Sequence, residues 1–326
     1  MAQIISTLAD LDAKLAECDA ALAISDDAMR SVFASFRMDV TTMLPPDPFS
    51  REYRDAQMAI YQRISGKSYC PANESTKFDV EAVKRRPFPY YTGSCATTGR
   101  QFMAMGFLLS SLNIPPGSRI VEFGPGWGNT TIALALVGFQ LTAVDIERDF
   151  CDLIRLRAEQ NSVDVSVVNA DFMWAEQITE PYDAAIFFEC FHHCSDHIRL
   201  MTALKTAVKP EGRIYFAAEP IVPDFAVPWG IRMDGESLWA VRRHGWMELG
   251  FSEAYFREAL ARTGWAVTKH VWPDIGWAAV WEARRSEQGD WPRLTCDAEA
   301  GLRAELAAVY RSTSWRLTAP LRALKR

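Results

Sequence analysis

The chain has 326 residues, enough for one large α/β domain with an extension or for two modest domains, and 49% of them are apolar, so a sizeable core is available. A formal charge of −6 and a pI near 5.5 argue against a surface built broadly for nucleic acid. No apolar run approaches the ~18 residues that span a bilayer. The seven cysteines (Cys18, Cys70, Cys95, Cys151, Cys190, Cys194, Cys296) form no CxxC pair, and no basic, apolar signal peptide precedes them, which predicts reduced thiols in a cytosolic protein.

In chain order, Ile4, Leu8, Leu11, Leu15, Cys18 and Leu22 make a helical apolar stripe that Ser25-Asp26-Asp27 ends. The stripe is too short for a coiled coil, so this helix is expected to dock on its own domain. "TTMLPPDPFS" is a turn-rich linker before a helix over Tyr53 to Ile64, and "RRPFPYYTGS" is an extended approach to a helix over Gly99 to Leu112. From Pro115 the pattern becomes strand-turn-helix alternation, which implies a parallel sheet. Strands are predicted over Arg119–Phe123, Gln140–Val144, Val165–Asn169, Ala184–Phe188 and Arg213–Ala217. Helices are predicted over Asn129–Val137, Phe150–Glu159, His197–Val208 and Ser252–Thr263. Two last strands, Ala266–Trp272 and Trp277–Glu282, flank the short turn "PDIG" and should pair antiparallel. The organisation expected is a helical N-terminal region over 1–114, an α/β domain over 115–285 with an inserted lid over 222–250, and a tail over 286–326.

Gly124, Gly126 and Gly128 stand where the first of these strands hands over to its helix, and glycine there permits a tight turn and a close backbone approach to a ligand. A dinucleotide fingerprint would need its third glycine at position 129, which is Asn129. The pattern present, G-x-G-x-G with Glu122 two residues ahead, resembles that of class I S-adenosylmethionine-dependent methyltransferases. The resemblance runs from about Pro115 to Arg284. It implies a three-layer α/β sandwich with a seven-stranded, mostly parallel sheet, the Rossmann-like methyltransferase fold. It also implies S-adenosyl-L-methionine as cofactor, its amino-acid end wrapped by Gly124, Pro125, Gly126 and Gly128 with Glu122 behind them. Asp145, about twenty residues further on, would accept the ribose hydroxyls beside Ile146. Asp171 would meet the adenine amino group, with Phe172 beside the ring. Each acid could alternatively be a helix N-cap, but such sites in order at successive strand ends are hard to obtain by chance.

"YDAAIFFECFHHCSDH" resembles the fourth motif of the same family, a strand ended by a histidine-bearing loop. Methyl transfer to a hydroxyl needs alignment and removal of a proton, so His193 is the expected base, with His192 and Glu189 as the other candidates. A loop histidine can equally be mere packing. Cys190, His192, His193, Cys194 and His197 match no structural-zinc spacing, and no metal is expected; a magnesium site on Glu189 and Asp196 is the weaker alternative.

The insertion interleaves aromatics with Arg232, Arg242, Arg243 and His244 at the carboxyl ends of the strands, where open α/β sheets bind ligands. Trp229, Arg242, Arg243 and His244 are therefore expected to bind an acceptor, with at most two of the three consecutive residues facing the cleft. The alternative is a lid packed on the core with solvated arginines. The tail, "RSTSWRLTAPLRALKR", carries five basic residues and no acid, after a stripe of Leu302, Leu306 and Val309. It suits an anionic membrane surface or a partner such as a glycosyltransferase, unless it is simply a solvated terminus. "STSWRLTAPLR" and "RRHGWMELGF" are similar to segments of enzymes of bacterial surface-polysaccharide assembly. The reading is a cytoplasmic sugar O-methyltransferase, peripheral at the inner face of the membrane if the tail docks there. A small natural-product O- or N-methyltransferase and a non-catalytic scaffold for glycosyltransferases are the alternatives.

Overall fold

The computed structural model describes residues 2–39, 43–84 and 94–286. Seven strands form the central sheet: β3 (Arg119–Phe123), β4 (Gln140–Asp145), β5 (Val165–Asn169), β6 (Tyr182–Phe188), β7 (Val208–Ala217), β11 (Trp265–His270) and β12 (Val280–Arg285). Their order is β11-β12-β7-β6-β3-β4-β5, parallel except at β12, which runs antiparallel to both neighbours. The inner strands are buried on both faces, which is why "AAIFF" reads as an unbroken apolar run. Alternate residues divide between two helical layers. Ile120 packs with Leu108 of α5 (Cys95–Ser111) and Leu134 of α6 (Asn129–Leu136). Val121 and Phe123 pack with Leu204 of α8 (His197–Ala207) and Phe256 of α10 (Glu253–Arg262). Helix α7 (Arg148–Gln160) follows β4, and the whole is the three-layer sandwich that the sequence implies.

The strand order reverses at β3, so β4 and β6 flank it and a crevice opens at the carboxyl ends of β3 and β6. An aromatic row lies beneath that crevice: Phe187 stacks between Phe123 and Phe216, with centroids 5.1 and 5.3 Å apart, in register across three strands. Each such pair adds ~0.5–1.5 kcal/mol beyond its buried area and stiffens the strand ends that carry the site.

The N-terminal region is less separate than its sequence suggests, since residues 1–285 belong to one compact unit. Ile4 does not extend the first helix. It lies in β1 (Gln3–Ile5), which pairs in parallel with β2 (Phe36–Met38) around α1 (Leu8–Leu22) and α2 (Asp26–Phe33). Thr7 and Ser25 cap these helices by accepting from Asp10 and Ala28 amides. The insertion folds into a three-stranded sheet, β8 (Ile221–Val222), β10 (Leu249–Ser252) and β9 (Trp229–Ile231), plus helix α9 (Gly235–Arg243). Helix α3 (Arg51–Ser65) joins the two: Gln57 donates to the Trp229 carbonyl and accepts from the Ile231 amide, and the Tyr61 hydroxyl donates to the Gly245 carbonyl at 2.6 Å. Helix α3 of region 1–114 thus packs directly on lid 222–250. The "PDIG" turn is longer than expected, a 3-10 segment over Pro273–Ala278, and the strands around it pair antiparallel as expected. No helix among the described residues is long and apolar enough to cross a membrane. The basic tail, with Leu302, Leu306, Val309 and Cys296, lies outside the described residues.

Candidate active site

The glycine loop leaves β3 with Gly124, Gly126 and Gly128 all left-handed, at φ of +60°, +52° and +71°. The first and second have different reasons for being glycine. A Cβ on Gly124 would lie 2.8 Å from Cys190 Cβ, so the loops after β3 and β6 touch there. A Cβ on Gly126 would meet no protein atom within 4 Å, so its face is open toward the crevice. The Gly126 amide donates to Asp145 Oδ2 at 3.0 Å, and the Glu147 amide donates to Oδ1 at 2.9 Å, which fixes the carboxylate at the end of β4. Burial pushes Asp145 up to about 6 despite these donors, and pushes Glu122 up to about 7 although Thr131 donates to it at 2.5 Å. Pro125 accepts from the Gly128 amide, and Ile146 accepts from the Asn169 side chain, so both shape the loop through their carbonyls. Asp171 caps the 3-10 turn Phe172–Gln177 by accepting from the Met173 amide, and Phe172 packs edge-on to Phe123 beneath Gly124.

The N-terminal region walls this loop. Phe78 stacks on Trp127 with centroids 5.4 Å apart, its amide donates to Asp149, and Ser75 bonds Glu147. Helix α4 (Val80–Val83) follows it along α7. These residues fit an adenosyl ligand. The open Gly126 face, a fixed carboxylate at the end of the neighbouring strand and an aromatic rim converge at the switch point.

The second half of the site follows β6. Glu189 sits at φ +51°, held by Gln101 of α5 donating at 2.9 Å, and burial raises its pKa to about 7. Next, Cys190–His193 turn around one buried carboxylate. Glu219, two residues past β7, accepts from the amides of Cys190, Phe191 and His192 at 2.9, 2.8 and 3.1 Å, and from His192 Nδ1 at 2.8 Å. Burial opposes its charge, yet His192 and the amides outweigh burial and hold it below the usual carboxylate value. His192 Nδ1 faces Glu219, so in the neutral imidazole an Nδ1–H donated there leaves Nε2 as the acceptor nitrogen, 3.7 Å from Glu248 Oε2. His193 Nδ1 lies 3.3 Å from Glu74 Oε2, while Tyr69 donates to the His193 carbonyl. Burial lowers the proton affinity of His193, but Glu74, then Glu248 and Glu219, outweigh it and push the histidine up to about 9. It therefore holds its proton at neutral pH. Of the two histidines expected as the base, His192 is the one whose orientation leaves a lone pair available.

The acceptor residues expected in the lid are placed elsewhere. Trp229 is 2% exposed, its Nε1 donating to the Pro48 carbonyl and its ring against Tyr53 and His197. Arg242 binds Asp12 through two nitrogens at 3.0 and 3.1 Å and also the Ile64 carbonyl, and Arg243 binds Asp19 at 2.5 Å. Asp12 and Asp19 are two turns apart on α1, so one acidic face meets both arginines and draws them away from the crevice. His244 stacks on Trp246 at 4.3 Å. Trp229, Arg242 and Arg243 fasten the lid to the N-terminal region, and His244 packs against Trp239 and Trp246 within the lid.

The metal expectations change as well. Cys190 donates to the Phe123 carbonyl and His197 bonds Tyr255, so neither joins the histidine pair. Glu189 and Asp196 are not among the group that could hold a cation, which among the described residues is His192, His193 and Glu248. Sequence reasoning missed Glu74, Glu219 and Glu248. Glu219 was within reach, since it is an acid at the carboxyl end of a parallel strand, the signal that marked Asp145 and Asp171. Glu74 and Glu248 carry no such signal.

A glycine loop answered by a fixed acid on the next strand, beside a loop of titratable groups, defines a class I S-adenosylmethionine-dependent methyltransferase. Residues 98–270 match the methyltransferase-domain family, and the chain belongs to that family. A ubiquinone biosynthesis O-methyltransferase of Xanthomonas campestris pv. campestris (strain B100) is 30% identical over 104 residues, 31% of this chain and 43% of that relative. The match thus spans less than half of the relative's length. Similar solved structures include the S-adenosylmethionine-dependent methyltransferase SibL (TM-score 0.48, 14% identity, 84% of this chain and 70% of that one). Another is an S-adenosylmethionine-dependent methyltransferase from Aquifex aeolicus (TM-score 0.44, 16% identity, 64% of this chain and 98% of that one).

Proposed function

We propose that the chain methylates a hydroxyl oxygen of a sugar, in the building of a bacterial surface glycan. One observation carries the choice of oxygen. His192 is fixed by Glu219 two residues beyond the contact between Cys190 and Gly124, which sets a group able to activate a hydroxyl beside the cofactor loop. S-adenosylmethionine supplies a methyl group already activated on a sulfonium, so the protein's own work is to align the acceptor and help its proton leave. Asp145 would hold the ribose, the loop around Gly126 the amino-acid end, and Asp171 and Phe172 the adenine. Glu219 keeps His192 in the tautomer with Nε2 free. The sugar acceptor rests on the two short likenesses to polysaccharide-assembly enzymes, and the basic tail would bring the enzyme to the membrane face or glycosyltransferase where such glycans are made. With Arg242 and Arg243 bound to Asp12 and Asp19 of α1, neither guanidinium is left to pair with an anionic acceptor, and a neutral sugar fits better. The relative named for ubiquinone biosynthesis favours a second reading, a phenolic hydroxyl.

The test is methyl transfer from labelled S-adenosylmethionine to a panel of neutral, amino, uronic and phosphorylated saccharides and simple catechols. Methylation of neutral saccharides supports the glycan reading. Turnover confined to catechols supports the second, and a flat panel with intact cofactor binding overturns both.

A further inference from the structure

We propose that His192, His193 and Glu248 form a binding site for a divalent transition-metal ion, facing the acceptor side of the crevice. The inference rests on the methyltransferase reading for its role, but not for its existence. One ligand atom from each of the three residues lies within 4.8 Å of the others, and His192 and Glu248 are each 8% exposed. An ion bound here would displace the proton that Glu74, Glu248 and Glu219 otherwise favour on His193, so binding releases a proton, and small side-chain rotations bring such a set to ~2.0–2.2 Å from a common ion.

Three features make this more than proximity. First, His192 donates Nδ1–H to Glu219, the outer carboxylate that commonly orients a metal-bound imidazole, so its Nε2 lone pair is the one turned toward Glu248. Second, His192 Nε2 and Glu248 Oε2 lie 3.7 Å apart, too far for a direct hydrogen bond and near enough to share one cation. Third, Glu248 is itself positioned. Arg232 Nη1 approaches its Oε2 at 3.4 Å and the Arg232 amide donates to its carbonyl at 2.8 Å, which holds the side chain in place. The two histidine rings are 4.3 Å apart in one 3-10 turn, and that turn is locked by the three amides donating to Glu219.

Two imidazoles and one carboxylate suit zinc, cobalt, manganese or ferrous iron better than magnesium or calcium, which prefer all-oxygen shells. Three protein ligands also leave coordination positions open, as in catalytic rather than structural sites. A sugar hydroxyl would occupy one of them and be polarised there, the ion then taking over the activating part that His192 Nε2 plays in the metal-free site.

The experiment is a titration of Co²⁺ alone into the chelator-treated full chain, free of any histidine tag, read by visible ligand-field absorption. A band saturating at one ion per chain is expected in the wild type. It should shift to at least tenfold higher Co²⁺ concentration in Glu248→Gln, and by ~10–100-fold in Glu219→Gln, whose side chain orients a ligand without binding the ion. The wild-type result needs no variant to fold, and circular dichroism checks the two that do. No saturable band, or a Glu248→Gln curve superimposable on the wild type, overturns the site. A chain that binds S-adenosylmethionine and methylates its acceptor yet shows no band overturns the metal alone. A band in a chain that methylates nothing supports the metal and removes the function proposed above.

Discussion

Asp145 shows how a single residue joins folding to binding. Its carboxyl is raised to about 6, first by burial, and Glu122 behind it to about 7. For folding alone the sign is fixed: a carboxyl raised in the folded state contributes most at low pH, and that contribution is lost as pH rises through about 6 for Asp145. Cofactor binding runs the other way, because ribose hydroxyls need the ionised acceptor. Calorimetric titrations with S-adenosylmethionine should therefore weaken as pH falls through about 6, while the unliganded protein does not lose stability from this group over the same interval. The loop glycines make a second prediction. Gly126→Ala carries only the left-handed strain, ~1–2 kcal/mol in urea denaturation, but should weaken cofactor binding because the added methyl fills the open face. Gly124→Ala carries the same strain and the collision with Cys190, so it should destabilise by more.

Among the elements, strands β3 to β7 and the helices between them were legible because long apolar runs bounded by turns have few other readings. The cofactor residues fell at strand ends for the same reason. Strands β1, β2, β8 and β9 were not legible, since each is only two or three residues long and its pairing is set by tertiary contact, such as Gln57 bonding both Trp229 and Ile231. The arginines of α9 were misplaced because spacing tells which face a side chain shares, not what that face meets, and Asp12 and Asp19 are remote in sequence. This correction has a measurable form. Arg242→Ala and Arg243→Ala should each cost ~0.2–1 kcal/mol, as partly exposed ion pairs do, and leave the acceptor KM unchanged. A several-fold rise in acceptor KM in either variant would return that arginine to the crevice. At the sheet, Phe187→Ala should cost ~3–5 kcal/mol by thermal denaturation, since it removes the middle of the stacked row.

At the scale of the molecule, two groups of residues from distant sequence meet at the point where the sheet reverses: one on β3 and β4, proposed to hold the cofactor, and one on β6, β7, the lid and Glu74, proposed to meet the acceptor. Their separate roles are the central claim, and one comparison tests it. S-adenosylmethionine affinity and methyl-transfer turnover are measured side by side on His192→Ala and Asp145→Ala. In His192→Ala, turnover should fall by ~10²–10⁴-fold with cofactor affinity unchanged. In Asp145→Ala, affinity should fall by roughly tenfold or more, as loss of a charge-assisted bond of ~1.5–3 kcal/mol requires. Near-normal turnover in His192→Ala, or undiminished affinity in a folded Asp145→Ala, would contradict the division.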